Sequence, residues 1–186
     1  MNFAVALENY RLHRSLNAMA DIKRLYKEDA LTGIMNRRGF EEQARIIYGD
    51  AAHLRQRVAV ISIDLDNLKK INDAYGHLAG DDTLCRVASA LEAVSNEATA
   101  YARTGGDEFS VVKRIEKPGE GSDFIMRLRE ELKKINERSA QPYIAEVSCG
   151  VYEVKDPAKV SLVRAMERGD EYMYEDKRQR KTVRNN

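Results

Sequence analysis

The sequence has no tryptophan, four phenylalanines, three prolines and two cysteines in 186 residues. The cysteines, Cys85 and Cys149, stand far apart, and neither has a second Cys or a His at metal-ligand spacing. That excludes a zinc ribbon and a disulfide framework, and it points to buried thiols in a reducing compartment. There is no excess of either charge: 31 Lys and Arg face 30 Asp and Glu, for a net charge of +1. No global field therefore attracts nucleic acid or an anionic membrane, and any attraction for an anion must be local. Long hydrophobic runs are also missing. The best one, Val58 to Ile63, is short and contains Ser62, far from the ~20 apolar residues a spanning helix needs. The N-terminus carries Glu8, Arg11 and Arg14 and has no signal-peptide hydrophobic region. These absences predict a cytoplasmic chain with no direct membrane insertion and no nucleic-acid partner. It is either free or the cytoplasmic output end of a longer receptor with an upstream sensor domain. What is present suffices for one core: 43% of residues are hydrophobic and 33% charged.

Residues 1–28 contain no Gly or Pro, and Val5, Leu12, Leu16, Met19 and Tyr26 follow a 4,3 spacing broken by Asn9 and Lys23. The spacing predicts a helix of about four weak heptads. It either packs on its own domain or pairs in parallel with a second copy as a signalling and dimerisation helix. Residues 29–186 form the second unit. Asp29 to Arg38 reads as a turn leading into a helix that runs to about Tyr48, with Gly49-Asp50 ending it. Val58 to Leu65 is a nearly continuous apolar run, as expected of a central strand buried on both faces. A short helix over Asn67–Tyr75 is broken by Gly76, and Asp81 or Asp82 is positioned to cap the next helix. Two strand-like runs, Thr99–Thr104 and Phe109–Lys113, flank a glycine pair and predict a β-hairpin. A helix from Ser122, a strand over Tyr143–Val154 and a last helix from Ser161 to about Lys177 with a basic tail complete the order. The mixture predicts an α+β fold, with helices flanking a mainly antiparallel sheet.

Acidic residues cluster where two of these elements end. Asp64 closes the apolar strand and is followed by Asp66, so the two can share a face if the strand continues that far. Asp107 and Glu108 stand at the hairpin tip. Such carboxylates repel one another unless a cation lies among them, and hard oxygen ligands suit magnesium, which typically also takes substrate phosphates. Gly105 and Gly106 lack Cβ, so a ligand can approach the backbone closely. The helix that opens after Asp64 offers N–H groups to phosphate, and Lys69 can add a compact positive charge.

These residues carry a resemblance. DALTGIMNRRGF at 29–40, DLDNLKKINDAYGHLAGD at 64–81, RTGGDEF at 103–109, VSCG at 147–150 and DEYMYEDK at 170–177 resemble, in order, the motifs of the GGDEF family of diguanylate cyclases. The resemblance runs from about Asp29 to Lys181. It implies a fold related to the palm of nucleotide cyclases and polymerases. It further implies condensation of two GTP into cyclic di-GMP across a homodimer, with two Mg2+ per active site (Mn2+ as a substitute) assisting attack of a 3′-oxygen on an α-phosphorus. On that resemblance Asp64, the Leu65 carbonyl, Asp107 and Glu108 hold metal, and Asp107 is the base, an assignment left open between the two hairpin acids. Lys69 stabilises transition-state charge. The backbone at Asn67 and Leu68 touches the terminal phosphates, Asn72 and Asp81 read the guanine edge, and His77 lies beside the substrate. Lys177 and Lys181 clamp the triphosphate.

The departures generate further expectations. Leu68 stands where the family commonly has Phe. Asp176 puts a negative charge next to the clamp, which predicts weaker triphosphate binding. The Arg-x-x-Asp pair of the family's product-inhibition site is replaced by Asn96 and Thr99, so that site is expected to be absent. A non-catalytic module that binds GTP or cyclic di-GMP is the alternative from another class. A cyclase making a hybrid or monomeric cyclic nucleotide is a third reading.

Overall fold

Strand β2 (Arg57–Leu65) is buried at every position except its first. A strand that is apolar on both sides needs cover on both faces, and the rest of the chain supplies it. In this computed structural model the described residues are Arg14 and 26–184; the helix expected over 1–28 lies almost wholly outside them. β2 pairs antiparallel with β4 (Glu108–Ile115) on one side and with β5 (Val147–Val154) on the other. β3 (Thr99–Arg103) pairs antiparallel with β4, and the two-residue β1 (Met35–Asn36) pairs in parallel with β3. The sheet order is β1-β3-β4-β2-β5.

Side chains alternate between two cores. Ile61, Ile63, Leu65, Phe109 and Val111 face Val87 and Leu91 of α3 (His77–Val94) and Phe124 and Leu128 of α4 (Glu120–Arg138). Val58, Val60, Val112 and Val154 face Phe40, Ala44 and Ile47 of α1 (Arg37–Leu54) and Ala165 of α5 (Leu162–Arg184). The short α2 (Leu68–Tyr75) caps the end of β2. The expected α+β architecture is thus borne out. No helix among the described residues is long and apolar enough to cross a membrane.

Several boundaries differ from the sequence expectation. α1 runs through Gly49-Asp50 to Leu54, because its buried stripe continues at Ala51. It stops at Arg55, whose left-handed backbone (φ 54°) turns its N–H onto Ala51 and Ala52 carbonyls. α3 begins at His77, directly after Gly76 at φ 87°, so Asp81 and Asp82 lie inside the helix and cap nothing. α4 begins at Glu120 rather than Ser122. The Glu153 carboxylate reaches across from β5 to accept the N–H groups of Gly119 and Gly121, an anionic partner for a helix N-terminus. Residues 143–146 are not strand. The expected basic tail is the last part of α5, which carries the helix on to Arg184. Cys149 is buried, and burial pushes its thiol up to about 12. Cys85 is only half-buried, with Sγ 3.6 Å from the Leu31 carbonyl.

Candidate active site

The register places three polar residues in one row across the sheet: Glu108 on β4, Asp64 on β2 and Ser148 on β5. Directly opposed residues on one face bring their Cβ atoms within about 5 Å, so Asp64 and Glu108 are adjacent acids. Asp66 lies just past the strand and accepts the Ser148 hydroxyl at 2.7 Å. The Leu65 N–H donates to the Asp107 carbonyl at 2.8 Å, which ties the strand end to the hairpin tip. Burial pushes the Asp64 carboxyl above its ordinary range. The Lys177 ammonium pulls it back, and the charges of Asp107 and Asp66 push it up again.

Lys177 reaches this row from α5, its Nζ 2.6 Å from Asp64 Oδ1. Burial disfavours the charged ammonium, but Asp64, Asp107 and Asp66 more than offset that and leave its pKa above the ordinary lysine value. Asp176, expected to weaken the clamp, is occupied elsewhere. Its Oδ2 accepts Arg129 at 2.7 Å and the Cys149 N–H at 2.9 Å, with Arg180 at 3.3 Å. It therefore fastens α5 to the outer edge of β5. Lys181 follows Lys177 by one turn and is exposed.

Beside this row lies a cleft of about 550 Å³, lined by Leu68, Lys69, Asn72, His77, Asp81, Arg103 and Asp107 among others. That size lies within the range of ligand sites. Asn67 opens α2 in the left-handed region (φ 60°) with no side-chain cap, a backbone state uncommon outside glycine. The Oδ1 of Asn72 is buried and has no hydrogen-bond partner. An acceptor stranded in this way is costly. Gly80 lets the Asn72 amide lie against its Cα, since an added Cβ would overlap it. Asp81 is half-buried in the second turn of α3, while Lys69 and His77 are exposed at the rim. Glu108 turns the other way: its side chain folds against Gly105 and faces the α1–α5 side of the sheet.

The structure thus brings together Lys69, Asn72, His77, Asp81 and Asp107 in one cleft, and Asp64, Glu108 and Lys177 in the adjoining row. Among the described residues no three His, Cys, Asp or Glu side chains converge closely enough to cage an ion by themselves. Two opposed acids at a strand end, one already holding a cationic Nζ, nevertheless fit a magnesium ion, which is held by one or two carboxylates with water and phosphates completing its shell.

Arg103 was not singled out by the sequence reading. It donates to the Gly106 carbonyl at 2.8 and 3.2 Å and to Asp29 at 3.2 Å. Asp29 in turn holds the N–H and hydroxyl of Thr32 at 2.9 and 2.6 Å. The turn before α1 is thereby wired to the hairpin tip. Arg103 stands two residues before Gly105, but nothing in the sequence shows that its partner lies 74 residues earlier.

The family described as "Diguanylate cyclase, GGDEF domain" matches residues 26–183. The chain is 32% identical over 151 residues to Diguanylate cyclase DgcP of Escherichia coli K12, covering 81% of this chain and 44% of that protein. It is equally 32% identical over 149 residues to Cyclic di-GMP phosphodiesterase NbdA of Pseudomonas aeruginosa, covering 77% of this chain and 19% of that one. The chain therefore spans less than half the length of these curated relatives. Among solved structures, the coiled coil and GGDEF domain of DgcB from Caulobacter crescentus, in complex with c-di-GMP, superposes with a TM-score of 0.82 at 26% identity, covering 95% of this chain and 93% of that one. The intact Gly105–Phe109 turn, the acidic row beside it and these likenesses agree: the chain belongs to the GGDEF family of diguanylate cyclase domains.

Proposed function

We propose that this chain is an active diguanylate cyclase that condenses two GTP into cyclic di-GMP and releases pyrophosphate. The observation that carries the proposal is the cleft that Asn72 and Asp81 line together with Lys69 and Asp107, next to the directly opposed acids Asp64 and Glu108. Guanine presents N–H donors at N1 and N2, which match an amide oxygen and a carboxylate. The backbone at Asn67 and Leu68 then meets the terminal phosphates, and Lys177 and Lys181 grip the triphosphate. Lys69 offsets the charge that develops during transfer, His77 flanks the substrate, and Asp107 takes the proton of the 3′-hydroxyl from inside the cleft. Asp64, the Leu65 carbonyl, Asp107 and Glu108 would hold magnesium, which supplies Lewis-acid polarisation of the phosphate oxygens. One cleft holds one GTP, so the reaction needs two domains face to face. A homodimer follows, and a helix over residues 1–28 would raise the local concentration of the second domain. The test is incubation with GTP and magnesium followed by separation of products: cyclic di-GMP is expected, and bound but unaltered GTP would favour a regulatory nucleotide-binding module. The likeness to a protein named for phosphodiesterase activity keeps that second reading in view.

Asn72 and Asp81 predict strong discrimination against ATP. Adenine has an acceptor at N1 and no N2 amine, so both protein acceptors would stay unpaired, at a cost of about 1–3 kcal/mol each. A GTP-over-ATP preference in kcat/KM of at least about thirtyfold is expected. Turnover of ATP within a few-fold of GTP would show that the base is not read this way.

Feedback inhibition through the family's usual secondary site is expected to be weak. Thr99 donates its hydroxyl to Asn96 Oδ1 at 2.8 Å, and Lys113 Nζ lies 3.2 Å from the same oxygen. Both positions are tied to each other, and neither is charged. Losing two charge-assisted contacts of about 1.5–3 kcal/mol each should weaken product binding by at least two orders of magnitude. Calorimetric titration of cyclic di-GMP into nucleotide-free protein checks this, and tight binding away from the cleft would contradict it.

A further inference from the structure

A lysine meant only to grip a triphosphate would be expected to stand in solvent until substrate arrives. Lys177 does not. Its Nζ lies 2.6 Å from Asp64 Oδ1, and the two side chains keep only 25% and 10% of their exposure. Both ends of this bridge are anchored. Asp64 is fixed by ladders on either side, to Glu108 and to Ser148. The helix that carries Lys177 is fixed one residue earlier, where Asp176 holds Arg129 and the Cys149 N–H. It is also fixed by backbone packing, because Gly150 of β5 lies so close to α5 that an added Cβ would overlap the backbone of Gly169, Tyr172 and Met173. Helix and strand therefore hold their spacing, and only the flexible four-carbon stem of Lys177 is free to change partner.

We infer that Lys177 is an internal counter-ion for the metal-binding carboxylate, so that it competes with free divalent cations for Asp64 and leaves when a triphosphate offers it another anion. The inference rests on the proposed use of Asp64 as a metal ligand. The physical argument is one of competition. Two cations on one carboxylate repel each other and divide its charge, so a metal arriving alone binds Asp64 less well while the ammonium holds Oδ1. A metal arriving with a triphosphate brings the replacement anion with it. The arrangement makes metal binding conditional on nucleotide, and it assigns Lys177 two effects of opposite sign. It opposes binding of bare metal and favours binding of metal with GTP.

The opposite signs make the test decisive. Mn2+ alone is titrated into nucleotide-free protein, with free Mn2+ read by its electron paramagnetic resonance signal, for wild type, Lys177→Met, Lys177→Arg and the double variant Asp64→Asn/Lys177→Met. Lys177→Met should bind Mn2+ about tenfold more tightly than wild type, which corresponds to about 1.4 kcal/mol. Lys177→Arg keeps a cation at the carboxylate and should stay near wild type. The double variant should lose the gain, which places the ion at Asp64. Melting curves on the same samples identify any variant that has not folded, and Lys177→Gln replaces Lys177→Met if it has not. Unchanged or weaker Mn2+ binding in the folded charge-removal variant overturns the inference. Wild-type turnover of GTP is measured in parallel. Product with unchanged Mn2+ affinity sinks the counter-ion role but leaves the cyclase reading standing. Tighter Mn2+ binding without any product does the reverse.

Discussion

Asp64→Asn is expected to lower cyclic di-GMP formation by about a thousandfold or more, which corresponds to about 4 kcal/mol of lost transition-state stabilisation, while the protein stays folded. The substitution keeps the shape of the side chain and its place between β4 and β5, so the ladders through Ser62 and Leu65 are untouched. It removes the one buried charge in the row that already attracts a cation. It also relieves repulsion from Asp107 and Asp66, and it orphans Lys177. These two effects oppose each other, and Lys177 is one-quarter exposed, so its ammonium can turn to water. The net change in stability should stay within about 1 kcal/mol. Activity and stability therefore separate: a normal melting curve with no product is the expected pair of results. Near-normal product formation at saturating magnesium would refute the role of Asp64. Glu108→Gln should behave in the same direction, since Glu108 is the directly opposed acid. Asp107 is reached from the other side, through the cleft that also holds Lys69 and Asp81.

The path from sequence to site was short where spacing alone decides geometry. The run Val58–Leu65 is apolar at nearly every position, and only a strand covered on both faces satisfies it, so Asp64 had to emerge at a buried strand end. The glycine pair between two strand-like runs similarly placed Asp107 and Glu108 at a hairpin tip. Local signals failed where tertiary packing overrides them. Gly49-Asp50 looks like a helix stop, yet Tyr48 and Ala51 continue the buried stripe and carry α1 past it. Asp81 looks like a cap, yet Gly76 starts the helix earlier and leaves Asp81 lining the cleft. The charge of Asp176 suggested interference with the clamp. Of its three partners only Arg180, one turn on along α5, is local; Arg129 of α4 and the Cys149 N–H of β5 are distant in sequence, and no local pattern announces them. Arg103 was missed for the same reason.

Gly150 shows what a motif glycine hides, and it carries the second large effect. Gly150→Val should destabilise the protein by about 3 kcal/mol, the upper end for overpacking, and lower the melting temperature by roughly 6–12 °C for a chain of this size. Intrinsic preference points the other way: Val is favoured over Gly in a strand by up to about 1 kcal/mol. Sterics decide the sign. The new Cβ would overlap backbone atoms of Gly169, Tyr172 and Met173, and backbone within a helix cannot rotate aside as a side chain can. Gly169 is itself close-packed, 3.0 Å from Ser62 Oγ for an added Cβ, so α5 has no slack on the sheet and must lift as a body. Lifting it draws Lys177 away from the place proposed for the triphosphate, so the KM for GTP should rise along with the loss of stability. Gly49→Ala serves as the contrast. Gly49 lies inside α1, and an added Cβ there meets nothing within 4 Å. Helix propensity should then make that variant more stable by up to about 1 kcal/mol. Thermal melts of the two variants beside wild type decide the matter: a Gly150→Val protein that melts with wild type would mean that α5 does not lie against β5 as closely as this packing requires.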